Sequence, residues 1–317
     1  MSLRTAPEKY QPIWFDFQDS LYETLSRRRN LALLTVLPAL VLFGFINVFP
    51  ILWGIYAGFF DIFIFDPDWT FAGLANYREL AVDSLFHVSL LRSATFAIGA
   101  VTFQLVVGIL IAVLVTRDFM WKKFARAVVM MPYLIPTAIV AYQAHWIMNS
   151  TYGVFNWILV NLGLLSQTIA WFGEPSTAMV SVLGVNWWKY TSFVAILAIA
   201  RLQSIPDSHY EAAITCGAGA WRQFWDITLP NLKGVIFIVL LLRAVWMFLH
   251  FDSIWILTRG GPGDATYVAP VYAYDAAFRG FELGYAAAMS TVLFGILAVS
   301  AIIYFVVLEP EEEVRVE

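Results

Sequence analysis

Between two long apolar runs the chain reads S-I-P-D-S-H-Y-E-A-A-I-T-C-G-A-G-A-W-R-Q-F-W-D-I-T-L-P-N-L-K-G, from Ser204 to Gly234. Pro206 stops a helix arriving from the N-terminal side, because the residue before a proline is pushed out of the α region. Ser208, followed three residues later by Glu211, makes a capping-box pattern, so a short helix is expected from about Ser208. Its centre, Glu211-Ala212-Ala213, carries one carboxylate and two small side chains, and Gly217 and Gly219 then interrupt it. A second short helix is expected over 220–228, ending at Leu229-Pro230. Two short helices with a glycine break form a knuckle that can enter a partner's cleft.

The chain on either side of this knuckle is suited to lipid. Of 317 residues 60% are hydrophobic and 13% charged, with a mean hydropathy of +0.72, whereas a soluble domain is about one quarter charged. Spans are expected at about 31–59, 86–116, 125–148, 178–201, 234–258 and 284–308, each reaching the roughly 20 residues that a helix needs to cross about 30 Å of hydrocarbon. Helix is the expected form, since backbone in lipid must satisfy its own hydrogen bonds and these runs lack the period-2 alternation of barrel strands. The fold class is therefore all-α integral membrane protein with six transmembrane helices: a segment 1–30, a transmembrane domain 31–308 and an acidic tail 309–317. The first run is too long for a signal-peptide core and is expected to be a retained span. The apolar stretch 154–165 is too short to cross and is expected to lie as a helix in the outer interface. Ile13, Trp14, Phe17, Leu21 and Leu25 precede Arg27, Arg28 and Arg29 at three- and four-residue steps. They read either as an amphipathic helix on the inner surface or as a tail with incidental aromatics. Pro38, Pro50, Pro132 and Pro136 sit in or beside apolar runs, where kinks are expected.

Positive charge sets the orientation, because cytoplasmic loops retain Lys and Arg. With the N-terminus inside, cytoplasmic segments hold Arg4, Lys9, Arg27, Arg28, Arg29, Arg117, Lys122, Lys123, Arg126, Arg201, Arg222, Lys233 and Arg315, against Arg78, Arg259 and Arg279 outside. Both termini are expected in the cytoplasm, and so is the 202–233 connection. Several chemistries are excluded. The one cysteine, Cys216, cannot form an intrachain disulfide, and His87, His145, His209 and His250 lack metal-ligand spacing. No G-x-x-x-x-G-K-[S/T] is present to cradle nucleotide phosphates, so ATP hydrolysis by this chain is not expected. A net charge of −4 implies no nucleic-acid partner. No catalytic residue and no metal ligand is assigned.

The order E-A-A, three residues, G, nine residues, I, one residue, L-P is met by Glu211, Ala212, Ala213, Gly217, Ile227, Leu229 and Pro230. It resembles the signature loop of permease subunits in binding-protein-dependent ATP-binding-cassette importers. F-A-G-L-A-N-Y from Phe71 to Tyr77, Y-G-V-F-N from Tyr152 to Asn156, L-T-R-G-G-P from Leu257 to Pro262 and L-G-Y-A-A-A from Leu283 to Ala288 resemble the maltose-type carbohydrate branch. Two features depart from the pattern: Arg92-Ser93-Ala94-Thr95 stands where the branch often has Asn-Thr, and the connection after Leu52 has no room for a large extracytoplasmic insertion.

The resemblance implies that the loop is a coupling helix, with Glu211, Ala212, Ala213 and Gly217 docking on a separate ATPase. It implies a second homologous permease, a nucleotide-binding ATPase homodimer that binds ATP and Mg, and an extracytoplasmic solute-binding protein. The setting would be a bacterial inner membrane, crossed several times. This chain would have no cofactor of its own and would move a sugar or sugar derivative. By the same resemblance, Asn186, Lys189, Tyr190 and Phe193 line the substrate cavity. Polar and aromatic groups on the fifth span add Trp246 and His250, since aromatic faces cover sugar C–H surfaces and polar side chains exchange hydrogen bonds with hydroxyls. Lys189 is the candidate counter-ion for an anionic sugar. Trp187 and Trp188 read either as cavity walls or as interface anchors, and Arg243 and Asp252 either as cavity groups or as members of internal pairs. The rival reading is an ion-coupled secondary transporter, which needs embedded carboxylates; Asp252 is almost the only one.

Overall fold

The computed structural model describes residues 28–66 and 68–308. The two alternatives for 13–25 and the acidic tail 309–317 lie outside the described residues. The described residues up to Ala57 form one compact unit and those from Gly58 another.

In the first unit, helices α1 (Arg28–Phe43) and α2 (Phe49–Ala57) are joined by a π turn, Gly44–Val48. The amide of Phe49 donates to the carbonyl of Gly44, five residues back, immediately before Pro50. Proline lacks an N–H and its ring crowds the carbonyl four residues earlier, so a wider turn at this point lets the helix continue. The stretch Thr35–Ala57 is long and apolar enough to cross a membrane.

The second unit starts with a two-stranded antiparallel ribbon, β1 (Phe60–Asp61) and β2 (Thr70–Phe71), in which Phe60 faces Phe71 and Asp61 faces Thr70. Then follow α3 (Ala75–Val82), α4 (Ser84–Thr116), α5 (Lys122–Leu134), α6 (Thr137–Ile147), α7 (Val154–Asn161), α8 (Pro175–Leu202), α9 (Asp207–Thr215), α10 (Ala220–Gln223), α11 (Leu229–Phe248), α12 (Asp252–Leu257), α13 (Ala269–Phe278) and α14 (Leu283–Leu308). Among the described residues five helices are long and apolar enough to span, or six if α5 and α6 count as one broken span. The protein is thus a multi-pass, all-α membrane protein, and α7 matches the expected short helix.

Two spans differ from expectation. The run at 125–148 is not one rod: α5 and α6 meet at 96°. Ile135 lies in extended backbone (ψ 130°) before Pro136, which excludes that residue from the α region and supplies no N–H. Pro132, by contrast, is accommodated inside α5. The run at 234–258 also breaks, between α11 and α12, around His250. It does so with no proline or glycine at 249–251.

The second and fourth spans, α4 and α8, form the most extensive helix pair. Small residues are buried along both helices: Ala97, Ala100, Gly108 and Ala112 on α4, Ala195 and Ala198 on α8. A Cβ added at Gly108 would stand 2.7 Å from Val194 Cβ. Lipid removes the hydrophobic incentive for helices to associate, so close backbone approach and dispersion hold the pair.

The stretches outside the knuckle that carried the resemblance serve mainly as loop fasteners. Asn76 Nδ2 donates to the carbonyls of Gly58 (3.0 Å) and Phe60 (2.9 Å). Asn156 joins Asn149, Ile169 and Trp171 through four hydrogen bonds. Gly284 lies against the Phe60 carbonyl with no space for a Cβ. Asp83 fastens three helices. Its Oδ1 accepts from the amides of Leu85 (2.8 Å) and Phe86 (3.2 Å) at the start of α4, and its Oδ2 accepts from the hydroxyls of Tyr272 (2.6 Å) and Tyr285 (2.7 Å). Burial raises the Asp83 pKa, but the four donors outweigh it and the net shift is downward from 3.8. The stabilisation is therefore fully present above the ordinary carboxylate pKa and is lost as pH falls through the lowered folded value. Asp83→Ala removes the cap and strands two hydroxyls, a loss of about 2–3 kcal/mol. It is expected to lower the thermal midpoint of the purified protein, with the difference from wild type shrinking in acid; an unchanged midpoint at neutral pH would refute this assignment.

Candidate functional site

Helix α9 starts directly after Pro206, the N-cap residue, without a side-chain cap. The capping box expected from Ser208 and Glu211 is not formed. The extended backbone of Pro206 (ψ 135°) already provides the entry, so the helix begins one residue earlier and Ser208 falls inside its first turn. Asp207 in that turn complements the helix dipole. At the other end the amide of Gly217 donates to Ile214 O (2.9 Å) and that of Ala218 to Ala213 O (2.9 Å), a Schellman closure. Such a closure needs a left-handed residue, and Gly217 has φ +77°. The expected second helix does not end at Pro230. A π turn, Phe224–Thr228, carries α10 into α11, with the amide of Leu229 bonded to Phe224 O just before the proline. The same device precedes Pro50, and for the same steric reason.

The knuckle presents Glu211, Ala212 and Gly217 exposed, with Ala213 half-buried. Ile214, Trp221 (76% exposed) and Trp225 extend its apolar surface. Its base is firmly held. Tyr210 Oη meets Thr228 Oγ1 at 3.1 Å, and Tyr210, Phe224 and Ile227 lie against a core of Ile109, Ala112, Ala198, Leu202, Ile205 and Leu232. Arg201 Nε donates to Asn231 O (2.9 Å), tying the end of α8 to α11. A force on the knuckle therefore reaches α4, α8 and α11 together.

The second candidate site lies mid-length in those spans, where α5–α6 and α11–α12 are broken. Asn186 is buried; its Nδ2 donates to Val182 O (2.8 Å) and Ser253 Oγ (2.8 Å), while its Oδ1 has no partner. His250 Nε2 meets the same Ser253 Oγ at 2.6 Å, with its ring stacked on Phe96. The ammonium of buried Lys189 donates to the Ile135 carbonyl at the 96° bend, a cation at the C-terminal end of α5. Tyr190 Oη meets Thr137 Oγ1 at 3.1 Å, and its ring faces His250 edge-on. Phe193 lies between Tyr133 and Trp246, with ring centroids at 5.6 and 5.5 Å. Trp246 is 44% exposed.

The structure brings Asn186, Tyr190 and His250 into one cluster with Phe193 and Trp246 beside it, while Lys189 is held by the backbone. Trp187 is no interface anchor: it donates Nε1–H to Gly99 O (3.0 Å) and stacks on Phe103 between the spans. Trp188 is exposed. Arg243 and Asp252 do not pair with one another. Arg243 Nε donates instead to Gln104 Oε1 (2.9 Å), and Asp252 lines a cavity of about 340 Å³ with Thr137, Ala138, Phe251, Trp255 and Ile256. Sequence reasoning missed Gln104, Ser253 and Thr137. Gln104 is a lone amide in an apolar run and could have been flagged; the other two are ordinary at breaks.

A family model described as "Binding-protein-dependent transport system inner membrane component" matches residues 104–311. The chain is 35% identical over 271 residues to the probable ABC transporter permease protein YurN of Bacillus subtilis, covering 85% of this chain and 92% of that one. It is 32% identical over 278 residues to the trehalose/maltose transport system permease protein MalF of Thermococcus litoralis, covering 88% and 93%. The fold is similar to a chain of the bacterial alginate ABC transporter crystallised with an alginate pentasaccharide-bound periplasmic protein, with a TM-score of 0.77, 21% identity and coverage of 90% and 95%.

Proposed function

The chain belongs to the family of inner membrane components of binding-protein-dependent transport systems, and from that membership we propose that it translocates a sugar or sugar derivative across a bacterial inner membrane. It is a permease subunit of an ABC importer and not an enzyme. Its proposed partners are a second, homologous permease, two copies of an ATPase that bind ATP and Mg, and an extracytoplasmic protein that delivers the sugar. The observation that carries the reading is the knuckle: a short helix centred on Glu211-Ala212-Ala213, closed by Gly217 at φ +77° and braced on three spans. Closure of an ATPase pair would draw such a knuckle inward and, through its braced base, rotate the spans. The polar cluster at the two helix breaks supports a cavity lined by Asn186, Tyr190, Phe193, Trp246 and His250, with Lys189 holding the bend beside it, because irregular backbone at membrane depth is tolerated where it lines a cavity. The likeness to a trehalose/maltose permease supports a carbohydrate.

The test is sugar uptake by the complete complex in proteoliposomes with the binding protein outside and ATP inside. Uptake that requires ATP and survives collapse of ion gradients is the expected result. Uptake driven by a proton or sodium gradient without ATP would overturn the reading in favour of ion coupling.

A further inference from the structure

We infer that Arg243 is an anion anchor for the translocated molecule, and hence that the sugar is acidic, bearing a carboxylate, sulfonate or phosphate. The inference rests on the sugar-importer reading above. Arg243 sits fourteen residues beyond the start of α11, about 21 Å along the helix at 1.5 Å per residue. Its side chain is 2% exposed. Among the described residues the guanidinium meets only neutral groups: Gln104 Oε1 at 2.9 Å, Met247 Sδ at 3.4 Å, and the ring faces of Tyr190, Phe193 and Trp246 at 4.6, 5.8 and 5.7 Å. Among the described residues the paired carboxylates, Asp118, Asp226 and Asp275, belong to other cations. A permanent cation inside a membrane span is expensive unless it has a function or a counter-ion. A neutral side chain would hold Gln104 without that expense.

The aromatic groups around the cation are suited to sugars. Tyr190 places its ring over Arg243 and its hydroxyl on Thr137, which lines the 340 Å³ cavity. Tyr190 thus touches both the guanidinium and a residue of the cavity wall, and Trp246 on the same cation is partly exposed. Other charged and titratable groups nearby do not occupy this role. The Lys189 ammonium is bound to the Ile135 carbonyl, the His250 ring is bonded to Ser253, and Asp252, the one carboxylate on the cavity wall, is of the wrong sign. Asp252 and the unpartnered Asn186 Oδ1 instead supply acceptors for sugar hydroxyls. Arg243 and Lys189 against Asp252 leave the region net positive, and a guanidinium fork matches the oxygens of an acidic group.

The test uses the complete complex with its binding protein in proteoliposomes, measuring ATPase stimulation and uptake with matched pairs: glucose with glucuronate, galactose with galacturonate, glucose with its 6-phosphate and 6-sulfonate, and the corresponding glycosides. An acidic member is expected to be carried in preference to its neutral counterpart. Arg243→Gln should lower its uptake about tenfold or more, and Arg243→Lys should recover part of the loss. Preference for a neutral member overturns the inference and leaves the importer reading standing. So does uptake of an acidic sugar by Arg243→Gln within about twofold of wild type, a difference too small for a lost charge contact. Failure of every sugar, acidic and neutral, removes the sugar reading itself and the inference with it. Should Arg243→Gln fail to assemble, the wild-type comparison alone decides the charge preference.

Discussion

Gly217→Trp is expected to abolish ATP-driven uptake while the complex still reaches the membrane. The residue sits at φ +77°, where an L side chain is strained by roughly 1–2 kcal/mol. That is too little to unfold a helical bundle. Among the described residues beyond its chain neighbours, a Cβ there would meet no atom within 4 Å, so the indole would project from the exposed knuckle into whatever the knuckle enters. The loss in uptake should therefore reach about a hundredfold, equivalent to some 3 kcal/mol of lost coupling, with normal amounts of the permease in the membrane fraction. Gly217→Asn is the control, because asparagine tolerates the left-handed region and is small. It should keep much of the uptake. Transport by Gly217→Trp at the wild-type rate would defeat the coupling assignment.

Lys189→Met is expected to slow transport of every substrate alike. The ammonium of Lys189 satisfies the Ile135 carbonyl where the third span bends by 96°. Methionine fills a similar volume but donates nothing. The stranded carbonyl costs about 1–3 kcal/mol, and the favourable placement of a cation at the end of α5 is lost as well. The 135–136 break would lose its register against α8, which carries Asn186 and Tyr190. A fall of about tenfold in maximal uptake, with little change in the concentration giving half-maximal uptake, would mark a positioning residue. A selective loss of acidic sugars with neutral ones untouched would instead return Lys189 to direct contact with the substrate. That pattern would also weaken the separate assignment of Arg243.

The bent third span shows what a linear reading captures. Pro136 was legible as a kink site, because the loss of an N–H is a property of one residue. The angle was not, since it depends on α6 lying along α12 and on Lys189 reaching across from α8. The break around His250 carries no local mark at all; it is held by contacts to Ser253, Phe96 and Tyr190. Arg243 was legible as a polar group in an apolar run, but its partner Gln104 lies 139 positions away. Asp83 is joined to Tyr272 and Tyr285 across 189 and 202 positions, and nothing near Asp83 announces them. The two errors in the knuckle were local and steric: Pro206 shifted the start of α9, and a π turn carried the next helix past Pro230.

By itself the sequence determined that the chain crosses a membrane as helices, and it located the exposed knuckle that marks its family. Span length, positive-charge bias, the glycine at a helix end and the spacing from Glu211 to Pro230 are all properties of neighbouring residues. Tertiary structure alone decided which polar groups meet inside the bundle and which charges stay unpaired. It joined Arg243 to Gln104, withdrew Lys189 to a backbone carbonyl, left Asn186 Oδ1 without a donor, and fastened Asp83 to two distant tyrosines. The physical reason is that lipid enforces the backbone hydrogen bonds of each helix separately, whereas side-chain pairing depends on how helices distant in the chain are rotated and spaced, which close packing of small residues such as Gly108 sets.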